Sequence, residues 1–98
     1  MTIQKAQNGS ELLITLSGRL DTTTSPELEK ELQDCLDGID ELRFDFTDLE
    51  YISSAGLRVL LSAQKRMNKQ GSMVISHIND TVNEVFEITG FIDILTIE

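Results

Sequence analysis

One junction constrains this chain more than any other. Glu41-Leu42-Arg43-Phe44-Asp45-Phe46 alternates polar and apolar residues, the pattern of a half-buried strand. Farther on, Leu57, Leu60, Ala63 and Met67 recur at helical spacing. Between the two runs lie paired serines and a glycine, Ser53-Ser54-Ala55-Gly56, and no proline. A strand therefore ends, the backbone turns, and a helix begins at or near Ser53-Ser54. A serine there can cap the helix by accepting a hydrogen bond from a free backbone N–H. The same N–H groups and the helix dipole favour a phosphate. The chemistry of the chain is expected at this junction.

The remaining segments build a frame around it. Residues 2–7 form a short strand candidate that ends at Asn8-Gly9-Ser10, a strong turn signal. Residues 11–17 (ELLITLS) form a nearly continuous apolar strand, suited to the middle of a sheet. A polar loop covers residues 18–24, and Ser25-Pro26 starts a helix with serine as its cap. Leu28, Leu32, Cys35 and Leu36 line one face of that helix, which stops at Asp37-Gly38. After the strand at 41–46 and a helix over 54–70, residues 72–78 form another strand. Asn79-Asp80 caps a short helix reaching Thr89, with Val82, Val85 and Phe86 inward; Gly90 ends it, and residues 91–97 form a last strand. The order β-β-α-β-α-β-α-β predicts a single α/β domain over 1–98, its mixed, mainly parallel sheet covered by helices and edged by an antiparallel N-terminal strand.

Charge and size narrow the function. A chain of 98 residues buries roughly 60–65% of its unfolded surface, enough for one core and no deep cavern. Seventeen acidic and eight basic residues give a formal charge of −9, which repels nucleic acid and anionic lipid and favours a partner with a basic face. The single cysteine, Cys35, has no internal disulfide partner and reads as a small buried hydrophobe. No apolar run approaches the roughly 18 residues of a membrane span, and the N-terminus lacks a signal-peptide core. A cytoplasmic protein is expected.

Catalytic and metal motifs find no footing. A nucleophilic Ser54 would need a base, and the one histidine, His77, falls in the strand after the helix, where it reads as a strand-end residue. Ile52 stands where a G-x-S-x-G elbow requires glycine. One His and one Cys far apart make no zinc spacing, and there is no calcium-loop or phosphate-cradling glycine pattern. No enzyme, cofactor or metal is expected. What does stand out is the helix after Ser54, which holds Arg58, Lys65, Arg66 and Lys69. Arg58, Ser62, Lys65 and Lys69 share one stripe opposite the apolar face, with Leu61 beside it. This stripe is either a solvated helix surface or a docking surface, with Leu61 as its apolar element and Arg58 as its charged contact.

At these residues the chain resembles a known family. Ile52-Ser53-Ser54-Ala55-Gly56-Leu57, after the lead-in Thr47-Asp48-Leu49, resembles the matching loop of the bacterial anti-sigma factor antagonists of the STAS domain family. Leu16-Ser17-Gly18-Arg19-Leu20-Asp21 is similar to the family's L-x-G-x-L-D loop, and Val85 to Phe91 (VFEITGF) looks like its short helix and final-strand entry. The resemblance implies a switch in which the unphosphorylated protein binds an anti-sigma factor, usually a serine kinase, and so frees a sigma factor. The kinase phosphorylates one serine at the helix start, and a serine phosphatase reverses this. Carried over by position, the acceptor is Ser54, and Asp21 matches the acidic residue of the neighbouring loop. The implied partner-binding set is Asp21, Thr22, Ser53, Ser54, Gly56, Leu57, Arg58 and Leu61. Two departures stand out: Ser53 replaces the aspartate that many members carry before the acceptor, and the family's final helix has no counterpart before Glu98. The alternative implied by the same resemblance is a scaffold or regulatory subunit of another signalling or transport complex, with Ser54 only a helix cap.

Overall fold

The computed structural model describes residues 1–98. The Asn8-Gly9-Ser10 signal makes a hairpin: Gly9 has φ +64, and Asn8 pairs with Glu11 across a two-residue loop. The hairpin joins β1 (Thr2–Asn8) to β2 (Glu11–Leu20) in antiparallel register. Two parallel steps follow, from β2 to β3 (Glu41–Ile52) and from β3 to β4 (Ser72–Ser76), giving the sheet order β1-β2-β3-β4. The crossovers are α1 (Ser25–Cys35) and α2 (Ser54–Gln70), and α3 (Asp80–Thr89) follows β4. This mixed sheet with three helices is the expected α/β architecture.

Alternation decides which face of the sheet is buried. Leu12, Ile14, Leu16 and Leu20 of β2 and Leu42, Phe44 and Phe46 of β3 are all at most 3% exposed, while Leu13 points the other way and is 38% exposed. The helices bring Leu28, Leu32, Leu57, Leu60, Met67, Val82 and Phe86 onto the inner face to complete one core. At the far end of the two crossover helices, the Gln70 amide donates to the carbonyls of Leu36 (2.8 Å) and Ile39 (2.6 Å), and Arg66 meets Asp37 at 2.6 Å. These bonds tie the end of α1 and the loop after it to the last turn of α2.

Several expectations change, and β4 ends at Ser76, short of the expected residue 78, because His77 turns into the left-handed conformation. Both β2 and β3 run farther than alternation predicts, to Leu20 and Ile52. The reason is a pair of register shifts: Thr15 pairs with Asp45, Ser17 with Asp48, Gly18 with Leu49 and Arg19 with Tyr51. Each shift inserts an extra β3 residue, so its buried positions pass from 42, 44 and 46 to 49 and 52 and lose their period of two. At the first bulge the Asp45 carboxylate accepts from the Thr47 hydroxyl (2.6 Å) and backbone N–H (2.9 Å), which hold its pKa below the usual carboxylate value.

The expected last strand shrinks to a single bridge. Gly90 closes α3 in the left-handed conformation, and the chain curls into a 3₁₀ turn over Phe91–Asp93, with Ile94 and Leu95 both donating to the Phe91 carbonyl. Only Ile97 pairs with β4, through Ile75. Ser25 is also not the cap of α1: Thr24 occupies that position and Ser25 is the first helical residue. Cys35 is half-buried at the edge of the core, and burial pushes its thiol pKa up, away from thiolate reactivity. No helix is long and apolar enough to cross a membrane.

Candidate functional site

The ends of β2 and β3 deliver two loops to one place. The backbone N–H of Ser53 donates to the Leu20 carbonyl at 2.9 Å, which fixes the start of α2 against the start of the loop 21–24. Gly56 makes this approach possible. A Cβ there would sit 2.8 Å from Leu20 Cγ and 2.9 Å from Ile52 Cγ1, closer than side-chain carbons pack. Leu57, 3% exposed, continues the same contact into the core. Both residues were expected in the partner-binding set. Being buried, they seat the helix from beneath and present no surface of their own.

The loop 21–24 is held rigidly. One Asp21 carboxylate oxygen accepts from the backbone N–H groups of Thr23 (3.0 Å) and Thr24 (3.1 Å). The Thr24 hydroxyl donates to the Arg19 carbonyl at 2.8 Å and accepts from the Asp21 N–H at 2.9 Å. Ser25 turns both its N–H and its hydroxyl back onto the Asp21 carbonyl. The Thr24 N–H, followed by that of Thr23 and the Thr24 hydroxyl, keeps the Asp21 carboxyl below its ordinary pKa, with the Arg19 guanidinium adding a smaller effect. Arg19 lies 3.9 Å from Asp21 and stacks 4.5 Å above the Tyr51 ring, joining the outer face of β2 to that of β3. One Asp21 oxygen is thus engaged within its own loop, while Thr22 is left exposed at the tip.

The start of α2 is different. Ser53 is the N-cap, with φ −101 and ψ 175, yet its side chain makes no capping bond; its hydroxyl oxygen is buried without a partner. Ser54 is the first helical residue and is exposed. The expectation that a serine hydroxyl caps this helix is not met, and the reading of Ser54 as a helix cap fails because Ser53 holds that position. An open cleft of about 270 Å³ lies between the first turns of α1 and α2, lined in part by Thr22, Ser25, Pro26, Ala55, Arg58 and Ser62. Arg58 is exposed on this rim, and Leu61, one turn farther along α2 than Leu57, is half-buried. Asp21, Thr22, Ser53, Ser54 and Arg58 are therefore brought together around one end of the sheet.

His77 is not. It follows β4 in the left-handed conformation, φ +62, just past the level of Asp45 in the first half of β3, because Asp45 pairs with Ser76. About six strand residues, on the order of 20 Å, separate that level from Ile52 and the start of α2. No base reaches Ser54 from there. No three His, Cys, Asp or Glu side chains converge on a possible metal position.

Thr24 escapes the sequence reading, and Ser25 and Arg19 enter it only as a helix cap and a loop position. The hydroxyl run Thr22-Thr23-Thr24-Ser25 after an aspartate was the available signal, since such residues bond to nearby backbone. The Arg19–Tyr51 stack follows from the strand register, which alternation through two bulges conceals.

One domain family matches nearly the whole chain. The model of the STAS domain matches residues 2–98. A Bordetella bronchiseptica protein named as an anti-sigma factor antagonist, BtrV, is 39% identical over 88 residues, covering 88% of this chain and 76% of its own. The anti-sigma-B factor antagonist of Listeria monocytogenes is 32% identical over 97 residues, covering 96% and 84%. Among solved structures, the Bacillus cell fate determinant SpoIIAA in its phosphorylated form superposes with a TM-score of 0.77 at 16% identity, covering 99% of this chain and 91% of that one. On the strength of the domain match and these relatives, the chain belongs to the STAS domain family.

Proposed function

We propose that this protein is an anti-sigma factor antagonist switched by phosphorylation at Ser54. In its unphosphorylated form, the surface formed by Thr22, Ser54, Arg58 and Leu61 binds an anti-sigma factor of the serine-kinase type and so frees a sigma factor. Phosphorylation of Ser54 by that kinase breaks the complex, and a serine phosphatase restores it. The observation that carries this reading is the placement of Ser54: exposed, first in α2, and beside a loop whose shape Asp21 fixes by accepting from two backbone N–H groups.

The physics of a phosphate at this position is asymmetric. It adds about −1.5 to −2 charges. Within the domain those charges meet the free N–H groups and positive dipole end of α2, so the fold accepts them. Within an interface they bring repulsion and desolvation. Disrupting a close charged contact there costs roughly 2–5 kcal/mol, or tens to thousands in affinity. The switch then needs no large change of shape. The names of the relatives support the antagonist role, and the phosphorylated form of SpoIIAA shows that a protein of this fold carries a phosphate.

Phosphopeptide mass spectrometry on protein isolated from its own host tests the acceptor. Phosphate is expected on wild type and Ser53→Ala and absent from Ser54→Ala. Phosphate retained in Ser54→Ala would move the acceptor to another residue, and none under any growth condition would remove the switch.

A further inference from the structure

The outer face of α2 differs in charge from the rest of the molecule. The helix holds four of the eight basic residues and none of the seventeen acidic ones. It therefore carries +4, while the remaining residues, four basic against seventeen acidic, carry −13. Pairing sharpens the contrast. Lys5 meets Glu31, Arg19 meets Asp21, Arg43 meets Glu41 and Glu98, and Arg66 meets Asp37. The four basic side chains with no carboxylate partner are Lys30, Arg58, Lys65 and Lys69, and three of these lie exposed on α2.

Their spacing makes a single feature of them. Positions 54, 58, 62, 65 and 69 fall within about 80° of arc at the 100° per residue of an α-helix and span about 22 Å at 1.5 Å per residue. Ser54 heads the stripe, Arg58 follows one turn later, and half-buried Leu61 flanks it. Lys65 and Lys69, one turn apart, repel each other. The fold offers neither an opposing charge, so these cations gain nothing from it.

We infer that this stripe docks against an acidic face of the anti-sigma factor, with Leu61 as the apolar contact beside it. The inference rests on the functional reading above and adds the chemistry of the partner. The net charge of −9 by itself favours a basic partner, but beyond the Debye length of about 8 Å at physiological salt the distant acids are screened and the local stripe decides. A nucleic acid is the lesser match, because its phosphates extend past the stripe onto a surface of −13. A folded protein with a confined acidic patch meets the stripe alone. A phosphate on Ser54 then acts twice: it faces the acidic patch directly, and it offsets Arg58 one turn away.

The test is association kinetics with the purified serine-kinase anti-sigma factor of the same genome. Wild type is compared with Lys65→Glu/Lys69→Glu, with Lys65→Gln/Lys69→Gln, and with Lys30→Glu as a control for an unpaired cation on α1. At about 50 mM salt the double glutamate variant should associate at least about tenfold more slowly, the glutamine variant falling between. The difference should close near about 0.5 M salt, where the Debye length falls to a few ångströms. Lys30→Glu should stay within about twofold of wild type, and thermal midpoints should not move, since the substituted side chains are exposed. Equal or faster association of the glutamate variant would overturn the acidic face while leaving the functional reading intact. Tighter binding of wild type to a 20-base-pair DNA duplex (about two helical turns) than to the kinase would replace the protein by a polyanion. Failure of wild type to bind the kinase at any salt would overturn both the functional reading and this inference.

Discussion

The two helix starts at this end of the molecule have similar sequences and opposite construction. Thr24-Ser25 opens α1 and Ser53-Ser54 opens α2. At α1, Asp21 gathers two backbone N–H groups, and the hydroxyls of Thr24 and Ser25 each reach a carbonyl. At α2, the Ser53 hydroxyl is buried without a partner and Ser54 projects outward. Neither N-cap side chain bonds a helix N–H, but the loop leading into α1 is closed by its own side chains. The start of α2 keeps its N–H groups and a free hydroxyl for something outside the chain. A helix start left uncapped forgoes stability that a capping side chain commonly supplies, so α2 is held in place from below, by Gly56 against Leu20 and Ile52.

Substitutions can break this contrast at different depths. The largest effect is expected from Gly56→Ala, which forces a methyl against Leu20 and Ile52. It should cost about 1–3 kcal/mol of overpacking, or a fall of several degrees in thermal midpoint for a domain this size. Ser25→Ala should cost about 1 kcal/mol through its lost bond to the Asp21 carbonyl. Ser53→Ala, which removes a hydroxyl that has no partner, should be within about 0.5 kcal/mol of wild type or stabilising. Urea unfolding of the two serine variants reads this difference directly. Equal losses would show that Ser53 caps α2 in solution.

The acid side of the comparison is set by Asp21. Its folded pKa lies below the unfolded value of about 3.9, so its contribution is complete above that value and is lost as pH falls through the lower, folded pKa. Asp21→Ala should therefore be less stable than wild type at neutral pH, and the two should converge in acid. Leu61→Asp is expected to act chiefly on binding. It should weaken partner binding while moving the thermal midpoint little, because Leu61 is only half-buried. A large loss of stability would place Leu61 in the core.

Much of this was legible in the sequence. Apolar patterning located three helices and the first four strands, because the apolar residues of α1, α2 and α3 line single faces, residues 11–17 form a nearly continuous apolar run and residues 41–46 alternate. It lost the second half of β3, where two bulges break the period at Phe46 and beyond. The last strand misled for a different reason: Phe91 to Ile97 is apolar, but a left-handed Gly90 commits the chain to a curl before it can pair. At the site, residue types pointed to Ser54 and Asp21. Which hydroxyl caps, which is buried and which is free depends on the rotation of a few side chains, and sequence carries no such signal.

The central claim is that the open start of α2 admits a phosphate which the fold accepts and the partner rejects. The direct measurement is made on protein with phosphoserine installed at position 54, comparing its thermal midpoint and its affinity for the anti-sigma factor with those of the unmodified chain. The account predicts a midpoint equal to or above that of the unmodified protein and an affinity at least about tenfold weaker. Equal affinity in the two forms, or loss of affinity accompanied by unfolding of the domain, would contradict it.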